Sequence, residues 1–273
     1  MHHIQIGRIF LIAQKKKLKY GSLLMGCLFA LLLTGCSDTK KDDYQERSVE
    51  ELYQEAYGFL HKENYPKAAT TFEEIERQHP YSSWAPKSEI LAAYSYYLGQ
   101  KYDEAANLLE TFIQIHPSYK DIAYVYYLLG LCYYEQMSGI ERDQQMTELA
   151  FQTFDELIKR FPDSHYAKDA KLKLDLILDH LAGREMEIGR FYVSSHEPIA
   201  ALNRFKRVVE KFQTTTHVPE ALYRMIEAYL ILGIKEEAKH VAAVLGHNYP
   251  ESIWYKDSYD LLTFTPPPSE NLD

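Results

Sequence analysis

Few side chains in this chain of 273 residues stand at spacings that could do chemistry. The cysteines are Cys27, Cys36 and Cys132. A thiolate nucleophile needs a histidine or a positive neighbourhood to lower its pKa, and no Cys-His pair supplies one. Cys27 falls in an apolar run, and Cys132 reads as a small buried hydrophobe on a helix. No disulfide framework results. The eleven histidines are scattered without metal-ligand spacing. His79 and His116 stand just before prolines, where a helix C-terminus favours a cation. Glu73-Glu74 and Glu236-Glu237 read as solvated helix faces rather than acid–base pairs. No glycine-rich phosphate loop occurs. The expectation is a protein without catalytic apparatus, cofactor or metal.

Cys36 is set apart by what precedes it. Lys15, Lys16, Lys17 and Lys19 form a positive cluster, an apolar stretch runs from Leu23 to Leu33, and Thr34-Gly35-Cys36 follows. That is the layout of a secretory signal peptide. The apolar stretch is too short for a spanning helix, which needs about 20 residues. The quartet Leu33-Thr34-Gly35-Cys36 resembles the lipobox of bacterial lipoproteins. The resemblance implies cleavage before Cys36 and acyl chains on it. Such chains anchor a protein at about 0.8 kcal/mol per buried CH₂ without a span. Ser37 resembles the residue that sorts lipoproteins to the outer membrane. The expected boundaries are a signal peptide over 1–35 and a polar, flexible tether over 36–48.

The first 35 residues hold five basic residues and no acid, so the remainder carries a formal charge of −14 against −9 for the whole chain. An acidic body argues against nucleic acid and against anionic lipid head groups as partners.

The body is built on one spacing. Ala68, Phe72, Ile75 and Pro80 are separated by four, three and five residues. Steps of four and three return to one face of a helix, and the proline ends it. Ala105, Leu109, Phe112 and Pro117 repeat the pattern, as do Ala150, Phe154, Leu157 and Pro162, and Ala238, Ala242, Leu245 and Pro250. Ala201, Phe205 and Val208 match, with Gln213 in place of proline. Twelve residues before three of the alanines stand Ala56, Ala93 and Gly189, each followed three on by an aromatic: Phe59, Tyr96 or Tyr192. Small residues allow paired helices to approach closely. Ser82, Ser164 and Ser252, two residues after closing prolines, can cap the next helix. This resembles the tetratricopeptide repeat. The fold expected is all-α: an α-solenoid of five tetratricopeptide-like helix pairs with a long connecting helix.

Two departures break the period. Gly130 precedes Ala150 by twenty residues, placing an insertion near Ser138 to Thr147. Between Tyr166 and Arg190 there is no proline, and Leu172, Leu176, Leu178 and Leu181 keep helical spacing, which predicts one long helix. Repeats 1–3 would occupy 49–163, the long helix and repeats 4–5 would occupy 164–258, and 259–273 would be a proline-rich tail.

The helix face opposite the packing row would line a groove. It carries Tyr53, Tyr57 and His61 in repeat one, Ile90, Tyr94 and Tyr97 in repeat two, and Tyr124, Tyr127 and Tyr134 in repeat three. Rings with polar tips suit an extended peptide bearing aromatic side chains.

Further segments give the pattern a family. They are Phe112-Ile113-Gln114-Ile115-His116-Pro117, Gly139-Ile140-Glu141-Arg142-Asp143, Phe161-Pro162-Asp163-Ser164-His165-Tyr166 and Ala201-Leu202-Asn203-Arg204. With the lipobox, the inserted third repeat and the long helix, they resemble the ComL-type lipoproteins, the BamD family of outer-membrane protein assembly factors. The resemblance implies a non-enzymatic subunit of the complex that folds β-barrels into the outer membrane. It implies that N-terminal repeats bind the aromatic targeting signal of unfolded barrel proteins. It also implies that C-terminal repeats contact the periplasmic domains of BamA, with Arg204 a candidate contact, and that other subunits of the complex are partners. Gln213 and the tail depart from the family pattern. The alternative is a repeat-scaffold lipoprotein of the cell-envelope or division machinery.

Overall fold

Each of the five spaced rows is buried. Ala68, Phe72 and Ile75 are inaccessible, and the corresponding residues of the other four rows are buried with them. In the computed structural model, which describes residues 46–263, these rows lie on the second helices of five antiparallel pairs. The pairs are α1 (Val49–His61) with α2 (Tyr65–Gln78), α3 (Ala85–Leu98) with α4 (Tyr102–Ile115), and α5 (Ile122–Tyr134) with α6 (Gln145–Arg160). Then come α7 (His165–Ser194) with α8 (Pro198–Lys211), and α9 (Val218–Ile231) with α10 (Lys235–Asn248), closed by α11 (Ile253–Thr263). No strand occurs among the described residues. The all-α solenoid of five helix pairs is therefore the observed architecture. The signal peptide, most of the tether and most of the tail lie outside the described residues.

The small residues on the first helices do the expected work. Ala56 and Ala93 are inaccessible. At Gly130 and Gly189 a Cβ would overlap the rings of Phe154 and Phe205. Core packing leaves no slack for a methyl group there.

The turn inside four of the five pairs follows a rule that spacing did not reveal. Asn64 N donates to Phe59 O, Lys101 N to Tyr96 O, Glu197 N to Tyr192 O and Ile234 N to Tyr229 O, each at 2.9 Å. This six-to-one bond with a left-handed residue before its donor is a Schellman motif. The left-handed residues are Glu63, Gln100, His196 and Gly233, with φ of 57°, 59°, 59° and 75°.

The turn between pairs is equally uniform. His79, His116, Phe161, Phe212 and Tyr249 cap the second helices with φ between −121° and −136° and ψ between 44° and 58°. A following proline disfavours helical geometry at the residue before it. Phe212 precedes Gln213 and adopts the same shape, so the proline reinforces this turn rather than creating it. Of the three predicted serine caps, Ser164 Oγ accepts from Ala167 N at 3.1 Å at the head of α7. Ser252 Oγ accepts from Trp254 N at 3.2 Å, immediately before α11. Ser82 bonds Trp84 N at 3.2 Å but lies outside α3, whose cap is Trp84.

Both departures from the period have structural roles. The inserted segment folds around Gln144, a buried side chain whose amide donates to Gly139 O and Arg142 O at 3.0 and 3.1 Å. Arg184 of α7 donates to Arg142 O, which ties the insertion to the long helix. Helix α7 runs 30 residues unbroken. Its Ala170 and Ile177 belong to the core of repeats two and three, and its Ala182 and Met186 to the core of repeats four and five.

Replacing Gly130 by Ala should destabilise the fold by about 1–3 kcal/mol, because the Phe154 ring must move. Gly58, in the interior of α1, has nothing near its missing Cβ. Gly58→Ala should therefore be stabilising by about 0.5–1 kcal/mol. Thermal and urea unfolding of the two variants would measure the contrast; equal effects would remove the close-approach argument.

Candidate functional site

The expected tyrosine stripe divides into two groups of rings. On α1, Tyr53 and Tyr57 stack with centroids 6.0 Å apart, and Tyr57 meets the His61 ring edge-on at 4.6 Å. Tyr53 is wedged between the core ring of Phe72, at 5.8 Å, and Trp84, at 4.8 Å. Lys87 Nζ lies 5.3 Å from the Tyr53 centroid. Tyr57 is 41% exposed.

The second group is centred on α5 and the start of α7. Tyr124 and Tyr127 each lie 5.3 Å from the ring of Tyr166. Tyr127 OH donates to Asp169 Oδ2 at 2.7 Å. Tyr134 packs 6.4 Å from Phe154, with Lys173 Nζ 5.0 Å from its centroid. Lys173 Nζ is also 3.6 Å from Asp169 Oδ2. Tyr97 lies 5.7 Å from Tyr102.

Burial and neighbouring groups hold three of these phenols above their ordinary range. Burial, then the charge of Glu135, pushes the Tyr97 phenol up to about 12. Burial also raises Tyr124, helped by its neighbours Tyr94 and Tyr166. Tyr127 is raised by burial and then by its bond to Asp169. At neutral pH the Tyr97, Tyr124 and Tyr127 side chains are therefore hydroxyl donors on apolar rings and not phenolates.

One predicted member does not belong. Ile90 is 7% exposed and packs in the core of repeats two and three. The stripe assumption treats a first helix as having only one neighbour. In a solenoid α3 packs against α2 and α4 and also meets α5, so the free face is narrower than half a helix. Tyr94 and Tyr97 stay at its edge, half-buried.

Four contributors were missed: Trp84, Tyr166, Asp169 and Lys173. A readable signal existed for the aromatics. Trp84, Tyr166 and Trp254 each stand four residues after a closing proline, at the head of the next helix. Trp254 plays the same part in the last repeat, 5.3 Å from Tyr223.

Arg204 sits elsewhere, on α8. Its Nη1 is 3.1 Å from Glu185 Oε2, and Arg207 Nη1 is 3.3 Å from Oε1 of the same carboxylate. Glu185, on α7, is only 7% exposed. A buried carboxylate left without partners is costly, so the two arginines are partly committed to it. They border a cleft of about 550 Å³ whose other walls include Leu181, Ile188 and Phe212, with Asp143 and Glu148 at the insertion side. Cys36 lies outside the described residues. Cys132 is buried and unpaired, and burial pushes its thiol up to about 12. Among the described residues no cluster of three metal-ligating side chains occurs. No described helix is long and apolar enough to cross a membrane.

Residues 45–245 match the model of a family described as YfiO, outer membrane lipoprotein. A relative in Caulobacter vibrioides is 44% identical over 238 residues, spanning 86% of this chain and 78% of its own. A relative in Rickettsia prowazekii is 44% identical over 246 residues, spanning 90% and 98%. Both are named outer membrane protein assembly factor BamD.

The chain belongs to the BamD family of outer membrane lipoproteins.

Among solved structures, a tetratricopeptide protein of Thermus thermophilus aligns at 18% identity and a TM-score of 0.37, over 79% of this chain and 98% of its own. The BamD match takes in all five rows from Ala68 to Leu245, both departures from the period, and Arg204. It leaves the roles of individual tyrosines to the geometry.

Proposed function

We propose that this chain is a lipid-anchored subunit of the β-barrel assembly machinery. In this reading it faces the periplasm from the outer membrane, receives unfolded barrel proteins, and works with BamA in their insertion. Its place in a family of outer membrane assembly lipoproteins supports the general role. The single observation that carries the substrate reading is the row of half-buried tyrosines on α3 and α5, joined by Tyr166. Such rings can take the aromatic side chains of an extended segment while their hydroxyls meet its backbone.

The anchor is Cys36, acylated after cleavage of residues 1–35, with 36–48 as the tether. Several acyl chains give stable attachment where one would not. BamA's periplasmic domains are assigned to the α7–α8 face around Arg204. The guanidiniums of Arg204 and Arg207 each carry five N–H donors, and Glu185 engages one nitrogen of each. The remaining donors can meet an acceptor on a partner.

Tyr94→Ala combined with Tyr127→Ala should lower affinity for a synthetic barrel C-terminal peptide by about tenfold, the sum of two ring contacts of about 0.5–1.5 kcal/mol each. Fluorescence anisotropy decides this, and a change within about twofold would remove the groove assignment. Arg204→Glu should reduce co-purification of BamA while circular dichroism stays helical; undiminished recovery would dismiss Arg204 as a contact. Cys36→Ala should shift the protein out of the outer-membrane fraction into a soluble or uncleaved form, and normal fractionation would refute the anchor.

A further inference from the structure

Helices α7 and α9 are bridged by a chain of charged groups. Arg190 donates twice to Glu220, from Nε at 3.1 Å and from Nη2 at 2.9 Å, and once to Glu187 at 3.2 Å. Arg224 continues the chain: its Nη1 donates to Glu227 at 2.8 Å and its Nε lies 3.6 Å from Glu220. Three carboxylates thus share two guanidiniums, and Glu197, exposed at the turn into α8, directly precedes Pro198.

At the end of this chain lies a cavity of about 250 Å³. Val193 and Pro198 wall it on one side and Ala228 and Ile231 on the other, with Arg224, Glu227 and His196 completing the lining. Its surroundings expose apolar surface: Ile231 is 67% exposed, and Ile199, beside Pro198, is 62% exposed. The place of Ile231 is taken by His61 in α1 and by Leu98, half-buried, in α3. The exposed apolar surface beside the cavity is thus a feature of the last two repeats and not of the repeat pattern.

We propose that this cavity docks a segment of a partner protein that carries a large aliphatic or aromatic side chain beside a basic one. Burying one such side chain contributes about 1.5–3 kcal/mol. An exposed apolar pocket with a polar rim is the usual form of such a site. The surplus of carboxylates selects the neighbouring charge: a lysine or arginine is attracted and an acid repelled. The same surplus disfavours an anionic lipid surface. The cavity shares no wall with the Arg204 cleft, so the two surfaces can be occupied independently.

The test uses the full mature protein with isoleucine methyl groups labelled for NMR. The probe is an eight-residue synthetic peptide with one leucine between two lysines, titrated to about 2 mM. The Ile231 and Ile199 methyl signals should shift and saturate. Replacing the lysines by glutamates should weaken binding by about tenfold, and replacing the leucine by serine should abolish it. Ile231→Glu, at an exposed position, and Val193→Trp, which fills the cavity, should each remove the response at Ile199, whereas Arg204→Glu should leave it unchanged. No saturable shift, equal binding of the glutamate peptide, or undiminished binding by both variants overturns the proposal. So does a shift produced by anionic phospholipid vesicles and not by the peptide.

Discussion

The structure depends on one close approach. In the third and fourth pairs the second helix presents a phenyl ring that must seat against a glycine of the first. Where that residue is Gly130 or Gly189, the ring of Phe154 or Phe205 occupies the space a methyl would need. Because interiors pack to crystal-like density, this contact fixes how far apart the helices lie and how the first is rotated about its axis. The rotation decides which side chains are left facing outward. The position of the tyrosines is therefore a by-product of the packing row: Tyr94, Tyr124 and Tyr127 sit where they do because Ala93 and Gly130 are turned inward.

The two candidate surfaces differ in how much of their chemistry is already spent. The tyrosines bond to few protein groups beyond Asp169, so most of their donors remain available. The arginines of α8 are bound to a buried carboxylate, and a partner must share them with Glu185. Such sharing costs little when donors outnumber acceptors, since a guanidinium can serve more than one oxygen. It also fixes the direction in which the free donors point, which is useful for recognition and of little use for stability.

How much of this was legible in the sequence follows from which features repeat. The buried rows were readable because four-and-three spacing recurs five times, and the long helix because nothing interrupts it after Pro162. Ile90 was misjudged because a single helical wheel does not know about its lateral neighbours. Trp84 and Tyr166 went unseen because they stand at the heads of helices, outside the row, although their distance from the closing proline is constant. The left-handed turns were invisible because Glu63, Gln100 and His196 are not the glycine that such positions usually advertise. Gln213 looked like a defect and is not one, since Phe212 holds the turn without a proline. The proposed anchor and most of the expected tail fall in residues before 46 and after 263, where only the sequence speaks.

Helix α7 is shared between the core of repeats two and three and that of repeats four and five, as α3 is shared between the core of repeat one and that of repeats two and three. At 30 residues it is about 45 Å long, and its allegiance changes between Ile177 and Ala182. The first helices of the other pairs are only 13 or 14 residues long. A chain ended anywhere inside α7 would leave a half-helix with one flank clothed and the other bare. A cut at the repeat boundary after Pro162 would strip Ala170 and Ile177 from the core of repeats two and three. The two halves are joined by packing as well as by the chain.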